Sequence, residues 1–402
     1  MPPEDHIVAQ LSPGKRFAFS AVTITLSIVF SIWVANTIIR KVERNRAEKY
    51  PDYAHVMRTG GLGPGGMLQE GFEDWVHDGY GRSVRWKNNS QGFRHDREFS
   101  QTPAPGVLRI LSLGDSFTAG YRVGQEDTFS KLLENWSTNN LVPTEVLIAQ
   151  IEHPNFGLAY LKEYGHRWSP HVVLLGITLG NDIAQSYVAR HPSPIGFRHG
   201  LENLDLPTEC FIQKDRFKQF FKKALYRVRR SRLYSAIFNS PIAINSWYGC
   251  KGNVKLFDVQ NGLSMYIKNP PPEIEQAYQR LFLILKDYKQ YCEKHKIILL
   301  VGIFPQRFQV QPGDWRATTV AYGLNPDKFD LMLPNKRMQD FCRRNDIICI
   351  DPTESMQRYH QKTANNMYLP RGDMHWNRFG HQAWFDGARP ALSTKLQTVI
   401  DY

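Results

Sequence analysis

Three short stretches hold the side chains that nucleophilic acyl transfer requires. "LGDSF" carries Ser116 straight after the apolar run "VLRILSL", "LGND" carries Asn181 and Asp182 after "HVVLLGIT", and "GDMHW" carries Asp373 and His375. A serine nucleophile needs a base for its proton, a third group to orient that base, and N–H donors for the developing oxyanion. Ser116 is the candidate nucleophile and His375 the candidate base, with Asp373 placed to bond the far nitrogen of the imidazole. Asn181 offers a side-chain amide to the oxyanion beside the Ser116 backbone N–H. Asp115 is expected to brace the serine loop and Asp182 to support the site. Each stretch alone has a blander explanation: GDS recurs by chance, Asn-Asp after a strand commonly forms an Asx turn, and a DMH loop can be merely a satisfied loop. Their joint occurrence in this order points to a site.

The elements that must position these residues are legible from residue 107 onward. Apolar runs at 107–113, 145–151, 171–178, 296–304 and 347–351 alternate with amphipathic segments at 128–136, 157–168, about 273–295, 335–345 and 378–395. Strands that are apolar throughout and alternate with helices predict a parallel sheet covered on both faces. The expected fold is a three-layer αβα sandwich around five parallel strands, flavodoxin-like in class. Ligands of such sheets sit beyond the carboxyl ends of the strands, which is where all three stretches fall.

With those stretches in place, the chain resembles the SGNH, or GDSL-type, hydrolase superfamily. Its first block is matched by "LGDSF" with Ser116, its third by "LGND" with Asn181, and its fifth by "DMHWNRFGH" with Asp373 and His375. The stretches "NSQGFR", "GDSFTAGYRVGQEDTF" and "LPRGDMHWNRFGH" are similar to bacterial members with a single N-terminal membrane segment. The resemblance implies a serine esterase working through an acyl-enzyme without a cofactor or metal. It also implies an oxyanion-hole glycine in a second block, for which Gly157 in "EHPNFG" is the nearest candidate. Leu179 stands where the third block often has Gly. Asp373 and His375 are two positions apart rather than three, as in DxHW members associated with polysaccharide acetyl transfer or removal. Two alternatives follow: an O-acyltransferase acting on a cell-surface glycan, and a non-catalytic, membrane-tethered binding protein on the same fold. The substrate class is an acyl ester, with O-acetyl esters and acylated glycans or lipids among the candidates. A phosphate-cradling turn lacks the GxxxxGK[ST] and GxGxxG patterns, and metal hydrolysis through Asp373, His375 and His381 lacks HExxH.

Outside the expected catalytic domain at 107–402, residues 17–39, from Phe17 to Ile39, carry no charge and suffice to cross a hydrocarbon layer about 30 Å thick. They predict a retained transmembrane helix between a 1–16 tail and a juxtamembrane spacer and lead-in at 40–106, which contains the flexible-looking "GGLGPGG". The excess of Lys and Arg after the span argues for a cytoplasmic domain, whereas the resemblance implies an extracytoplasmic one, which is the expectation adopted. Between 183 and 272 the strand-helix rhythm stops, predicting an insertion that overhangs the site. Within it, residues 214–232, Lys214 to Arg232, hold nine Lys and Arg against one Asp. Phe217, Phe221 and Val228 give that window helical spacing, so it is either a solvated basic helix or a contact for anionic lipid headgroups. No nucleic-acid module accompanies the net charge of +12. Of the five cysteines, Cys292, Cys342 and Cys349 are expected to be buried thiols, while Cys210 and Cys250 could pair.

Overall fold

The computed structural model describes residues 65–183 and 262–401 apart from 79, 81, 152, 271, 323, 371 and 372, together with Ser186 and six positions between 22 and 34. Two compact units are present, Met1–Lys49 with Lys214–Ala243, and Tyr50–Gln213 with Ile244–Tyr402. In the first, Val22, Thr23, Ile24, Ser27, Ser31 and Val34 are helical. No helix among the described residues is long and apolar enough to cross a membrane. The expected span at 17–39 otherwise lies outside the described residues, as do the basic window at 214–232, Cys210, Cys250 and most of the expected insertion.

The second unit opens with an antiparallel hairpin, β1 (Glu73–His77) and β2 (Ser83–Lys87). Five parallel strands follow: β3 (Leu108–Gly114), β4 (Thr144–Gln150), β5 (Val172–Thr178), β6 (Ile298–Phe304) and β7 (Ile348–Ile350). Their order is β4-β3-β5-β6-β7. Among the described residues the helices include α1 (Ser116–Ala119), α2 (Phe129–Asn140), α3 (Pro154–Glu163), α4 (Pro272–Lys294), α5 (Arg307–Val310), α6 (Pro312–Tyr322), α7 (Leu333–Arg344), α8 (Thr353–Thr363) and α9 (Arg378–Ile400). The reversal of strand order between β3 and β5 puts a crevice at their carboxyl ends.

The unbroken apolar runs have a direct cause. Successive strand residues point to opposite faces, and both faces are covered. On β5, Val173 and Leu175 enter one core with Tyr278, Leu281, Leu285 and Tyr288 of α4 and with Met338 and Phe341 of α7. Val172 and Leu174 enter the other, with Phe129 and Leu133 of α2 and Trp384 and Leu392 of α9. Cys292 and Cys342 are buried free thiols, and Cys349 is only partly buried.

Two features depart from expectation. "GGLGPGG" is not free spacer at its end, because Gly66 bridges Gln150 at the end of β4 and Met67 N–H donates to Gln150 O at 2.8 Å. A Cβ on Gly65 would fall 1.8 Å from Gly92 O, so glycine is required there for two backbones to meet. In addition, α8 separates β7 from the His375 loop. Only Thr353 and Met356 of α8 are buried, so it shows no apolar stripe.

One charged side chain stitches the lead-in to the sheet. Arg109 on β3 is fully buried. It pairs with Glu145 on β4 at 2.5 Å and donates to the carbonyls of Ser100, Gln101 and Trp168 at 2.7–2.9 Å. Arg109→Met leaves those acceptors without a donor and is expected to cost about 3–5 kcal/mol of stability. Urea unfolding of wild type and variant measures this, and a loss below about 1 kcal/mol would mean that water replaces the guanidinium without penalty.

Candidate active site

β3 ends at Gly114, and the chain turns at once into α1. Asp115 is its N-cap, accepting from Phe117 N–H at 2.9 Å. Ser116 is therefore the first helical residue, in the turn whose amides have no acceptor within the helix. A Cβ on Gly114 would lie 2.1 Å from Thr118 Oγ1, so only glycine lets α1 sit this tightly on the strand end. Gly120 closes α1 at φ +71°, a conformation that a side chain disfavours.

Arg94, from "NSQGFR", holds the far end of α1. It is fully buried, its guanidinium lies 3.8 Å above the Trp86 ring, and it donates to the carbonyls of Ala119, Gly120 and Val123. The motif thus caps the nucleophile turn from below with a positive charge on its orphan carbonyls.

The His375 loop is held from several sides. Trp376 is fully buried, 5.0 Å from Phe117 and 4.9 Å from Phe304. Asn377 caps α9 by accepting from Phe379 N–H at 2.8 Å and ties the loop back through Asn366 O at 2.7 Å. Arg307, at the start of α5, donates to Asp373 O at 2.8 Å while paired with Asp314 at 2.9 Å. The His375 ring lies between Phe117, at 5.2 Å, and Tyr121, at 4.4 Å.

These supports bring three expected residues into one chain of contacts. Ser116 Oγ lies 2.6 Å from His375 Nε2, and His375 Nδ1 lies 2.6 Å from Asp373 Oδ1, which also accepts from His375 N–H at 3.0 Å. Asp373 thus fixes the ring with its protonated nitrogen away from the serine. Asn181 joins them through Asp115, donating from Nδ2 to Asp115 Oδ2 at 3.4 Å. An amide nitrogen carries two hydrogens, so Asp115 occupies one and leaves the other. Gly157 is not brought to the site. It lies in the first turns of α3, its N–H donates to His153 O at 3.2 Å, and a Cβ there would strike Tyr288 and Ile151. The glycine serves packing, and the oxyanion assignment is corrected accordingly.

No family model matches the chain, and no curated protein matches it. Solved structures similar to it include an acetyl xylan esterase, AlAXEase, at 11% identity over 71% of this chain and 100% of that one, with a TM-score of 0.38. TesA is similar at 11% identity over 71% and 99%, TM-score 0.35. Phospholipase A1 from Streptomyces albidoflavus NA297 is similar at 14% identity over 73% and 100%, TM-score 0.35.

Residues that sequence reasoning did not single out complete the surroundings. Thr178, the last residue of β5, donates its hydroxyl to Asp115 Oδ2 at 2.8 Å and its N–H to Asp182 Oδ2 at 2.7 Å. Nothing local marks Thr178 or Arg307, because the partners that tie them to the site, Asp115 and Asp373, are 63 and 66 positions away. His381 is buried in the last helix's packing face, stacked on Phe129. Burial, with the Arg94 and His375 charges, depresses it to about 3, so it is a neutral acceptor for Phe129 N–H at 3.3 Å. Among the described residues no group of three or more His, Cys, Asp or Glu side chains is placed to hold a metal ion.

The carboxyls differ in their electrostatics. Burial pushes Asp373 up, but its bond to His375, the charge of that ring, the His375 N–H and Arg122 together hold it below the ordinary range. Asp182 is fully enclosed, with Oδ1 unpartnered. Burial first, and the Asp115 charge second, raise it well above the ordinary range. An acid raised in the folded state costs stability as pH climbs from its unfolded value, about 3.9, through its folded value. Asp182→Asn removes that cost while keeping the acceptor for Thr178. The variant is expected to gain stability over wild type progressively as pH rises above about 4. Denaturant midpoints between pH 4 and pH 9 measure it, and a pH-independent difference would show that Asp182 ionises freely.

Proposed function

We propose that this protein is a serine esterase of SGNH type that cleaves acyl esters through Ser116, His375 and Asp373. The observation that carries the reading is the unbroken contact from Ser116 Oγ to His375 Nε2 and from His375 Nδ1 to Asp373 Oδ1, both at 2.6 Å. A binding module would not need the histidine tautomer fixed against a serine hydroxyl at a helix start.

In this mechanism His375 Nε2 takes the Ser116 proton as Oγ attacks the ester carbonyl carbon. The oxyanion is met by the Ser116 N–H and by the Asn181 Nδ2 hydrogen that Asp115 does not use. Collapse breaks the acyl–oxygen bond, and the alcohol leaves with the proton from His375. Water then gives a proton to the same nitrogen and attacks the acyl-serine, releasing the acid and restoring Ser116. Asp373 stays ionised, stabilising the imidazolium of each step.

Ser116→Ala is expected to lower kcat on 4-nitrophenyl acetate by about 10³-fold or more without changing the circular dichroism spectrum, and to abolish labelling by a fluorophosphonate probe. Unchanged turnover or labelling would sink the assignment.

We further infer that the chain is anchored in a membrane by residues 17–39, with the catalytic unit on the extracytoplasmic side. The support is the uncharged run of sequence, long enough to span. Fusions at the C-terminus are expected to give active alkaline phosphatase and inactive green fluorescent protein, and the reverse pattern would place the unit in the cytoplasm.

A further inference from the structure

Beside the His375 loop lies a cleft of about 400 Å³ that the mechanism above does not use. Three elements wall it: the β1–β2 turn with Asp78, Tyr80 and Arg82, the segment after α1 with Arg122, and the loop into α9 with Leu369 and Arg378. Its walls are tied to the loop and the turn that carry the candidate triad. Leu369 N–H donates to His375 O at 2.8 Å, Arg378 follows His375 by three positions, and Arg122 follows Tyr121, whose ring packs on His375.

The charge of this cleft is lopsided, with three arginines against one aspartate among its walls. Asp78 is already committed, accepting from Tyr80 N–H at 2.8 Å, Arg82 N–H at 2.9 Å and Arg82 Nε at 2.8 Å. Arg82 also has Asp127 at 3.8 Å. Among the described residues, no carboxylate lies within 4 Å of the Arg122 or Arg378 guanidinium, although Arg122 stands near enough to Asp373 to help hold it ionised. Each rests on a neighbouring ring, Arg122 over Tyr121 at 5.2 Å and Arg378 over Phe379 at 4.7 Å. Arg122 is moreover held at φ +57°, a backbone cost that a side chain rarely bears without local support. The turn that carries Arg82 is itself tied to the site loop, because Tyr80 Oη donates to Tyr368 O at 2.6 Å. Guanidinium groups favour carboxylates and phosphates through paired N–H donors.

We propose that this cleft seats an anionic oxygen group, a carboxylate or a phosphate, carried by the ester on which Ser116 acts. The proposal rests on the esterase reading and narrows its substrate to acyl esters of anionic molecules. Apolar Leu369, Phe379 and Val123 on the same walls suit a ring or short chain between the ester and the charge.

The test compares three acetate esters on the full-length protein: 4-acetoxybenzoate, 4-acetoxyphenyl phosphate and the neutral methyl 4-acetoxybenzoate. Wild type is expected to prefer an anionic ester by about tenfold or more in kcat/KM, and the preference is expected to shrink with salt. Arg378→Gln should remove about tenfold of that preference while leaving the neutral ester within about twofold. Arg122→Gln should lower the anionic esters about tenfold more than the neutral one. Whichever of the two anionic esters is favoured tells carboxylate from phosphate. Equal rates on charged and neutral esters, or equal losses in the variants, would overturn the proposal while leaving the esterase intact. Calorimetry of Ser116→Ala with benzoate and phenyl phosphate covers the opposite case. Binding that Arg378→Gln abolishes, in a protein that hydrolyses none of the esters, would keep the cleft and discard the esterase, and no binding alongside no hydrolysis would remove both.

Discussion

The contact between Ser116 and His375 joins residues 259 positions apart, so no local conformational preference can produce it. It depends on two loops being held in place by packing elsewhere. On one side Asp115 and Arg94 fix α1 at its two ends. On the other, Arg307 and buried Trp376 fix the loop that carries Asp373 and His375. Removing any of these supports would leave the functional groups present but out of reach of one another, which is how distant substitutions erode a preorganised site.

Much of the fold could be read from the order of apolar runs, because a strand buried on both faces has no polar alternation to obscure it. All five strands fall within a residue or two of the runs that foretold them. What escaped was of another kind. Helix α8 has too few buried residues to show a period, and α6 begins with Pro312-Gly313, a pair that reads as a breaker although proline is well tolerated at a first helical turn. Ser116, Asp373 and His375 were visible because their residue types are demanded by chemistry. Arg307 and Thr178 were not, since their parts are defined by partners that only the folded chain supplies. Gly157 misled for a related reason: a glycine near the expected loop resembled an oxyanion donor, whereas its lack of a side chain answers to the Tyr288 hydroxyl and the Ile151 side chain.

Three aspartates at one sheet edge are pushed in different directions. Asp373 faces an imidazole and an arginine and is held ionised, while Asp115 and Asp182 are buried on either side of Thr178 and raised. The same residue type therefore supplies a permanent charge in one loop and a reluctant one in the next: complete burial raises Asp115 and Asp182, whereas the hydrogen bonds and cationic neighbours of Asp373 outweigh its burial.

The seating of Gly65 and Gly66 reaches further than a local turn. β4 is the outer strand of the sheet, and an uncovered outer strand invites pairing with other chains. The bridge from Gly66 and the Met67 N–H occupy its end at Gln150, the end nearest the nucleophile loop, since Ile151 N–H bonds Gly114 O at 2.8 Å. The segment before the first core strand is thus a selvedge: it finishes the weave at the margin where it would otherwise unravel. A protein trimmed to begin at β3 would keep Ser116, Asn181, Asp373 and His375, yet would lose this finished margin, the Arg94 grip beneath Ser116 and the cleft wall that carries Arg82.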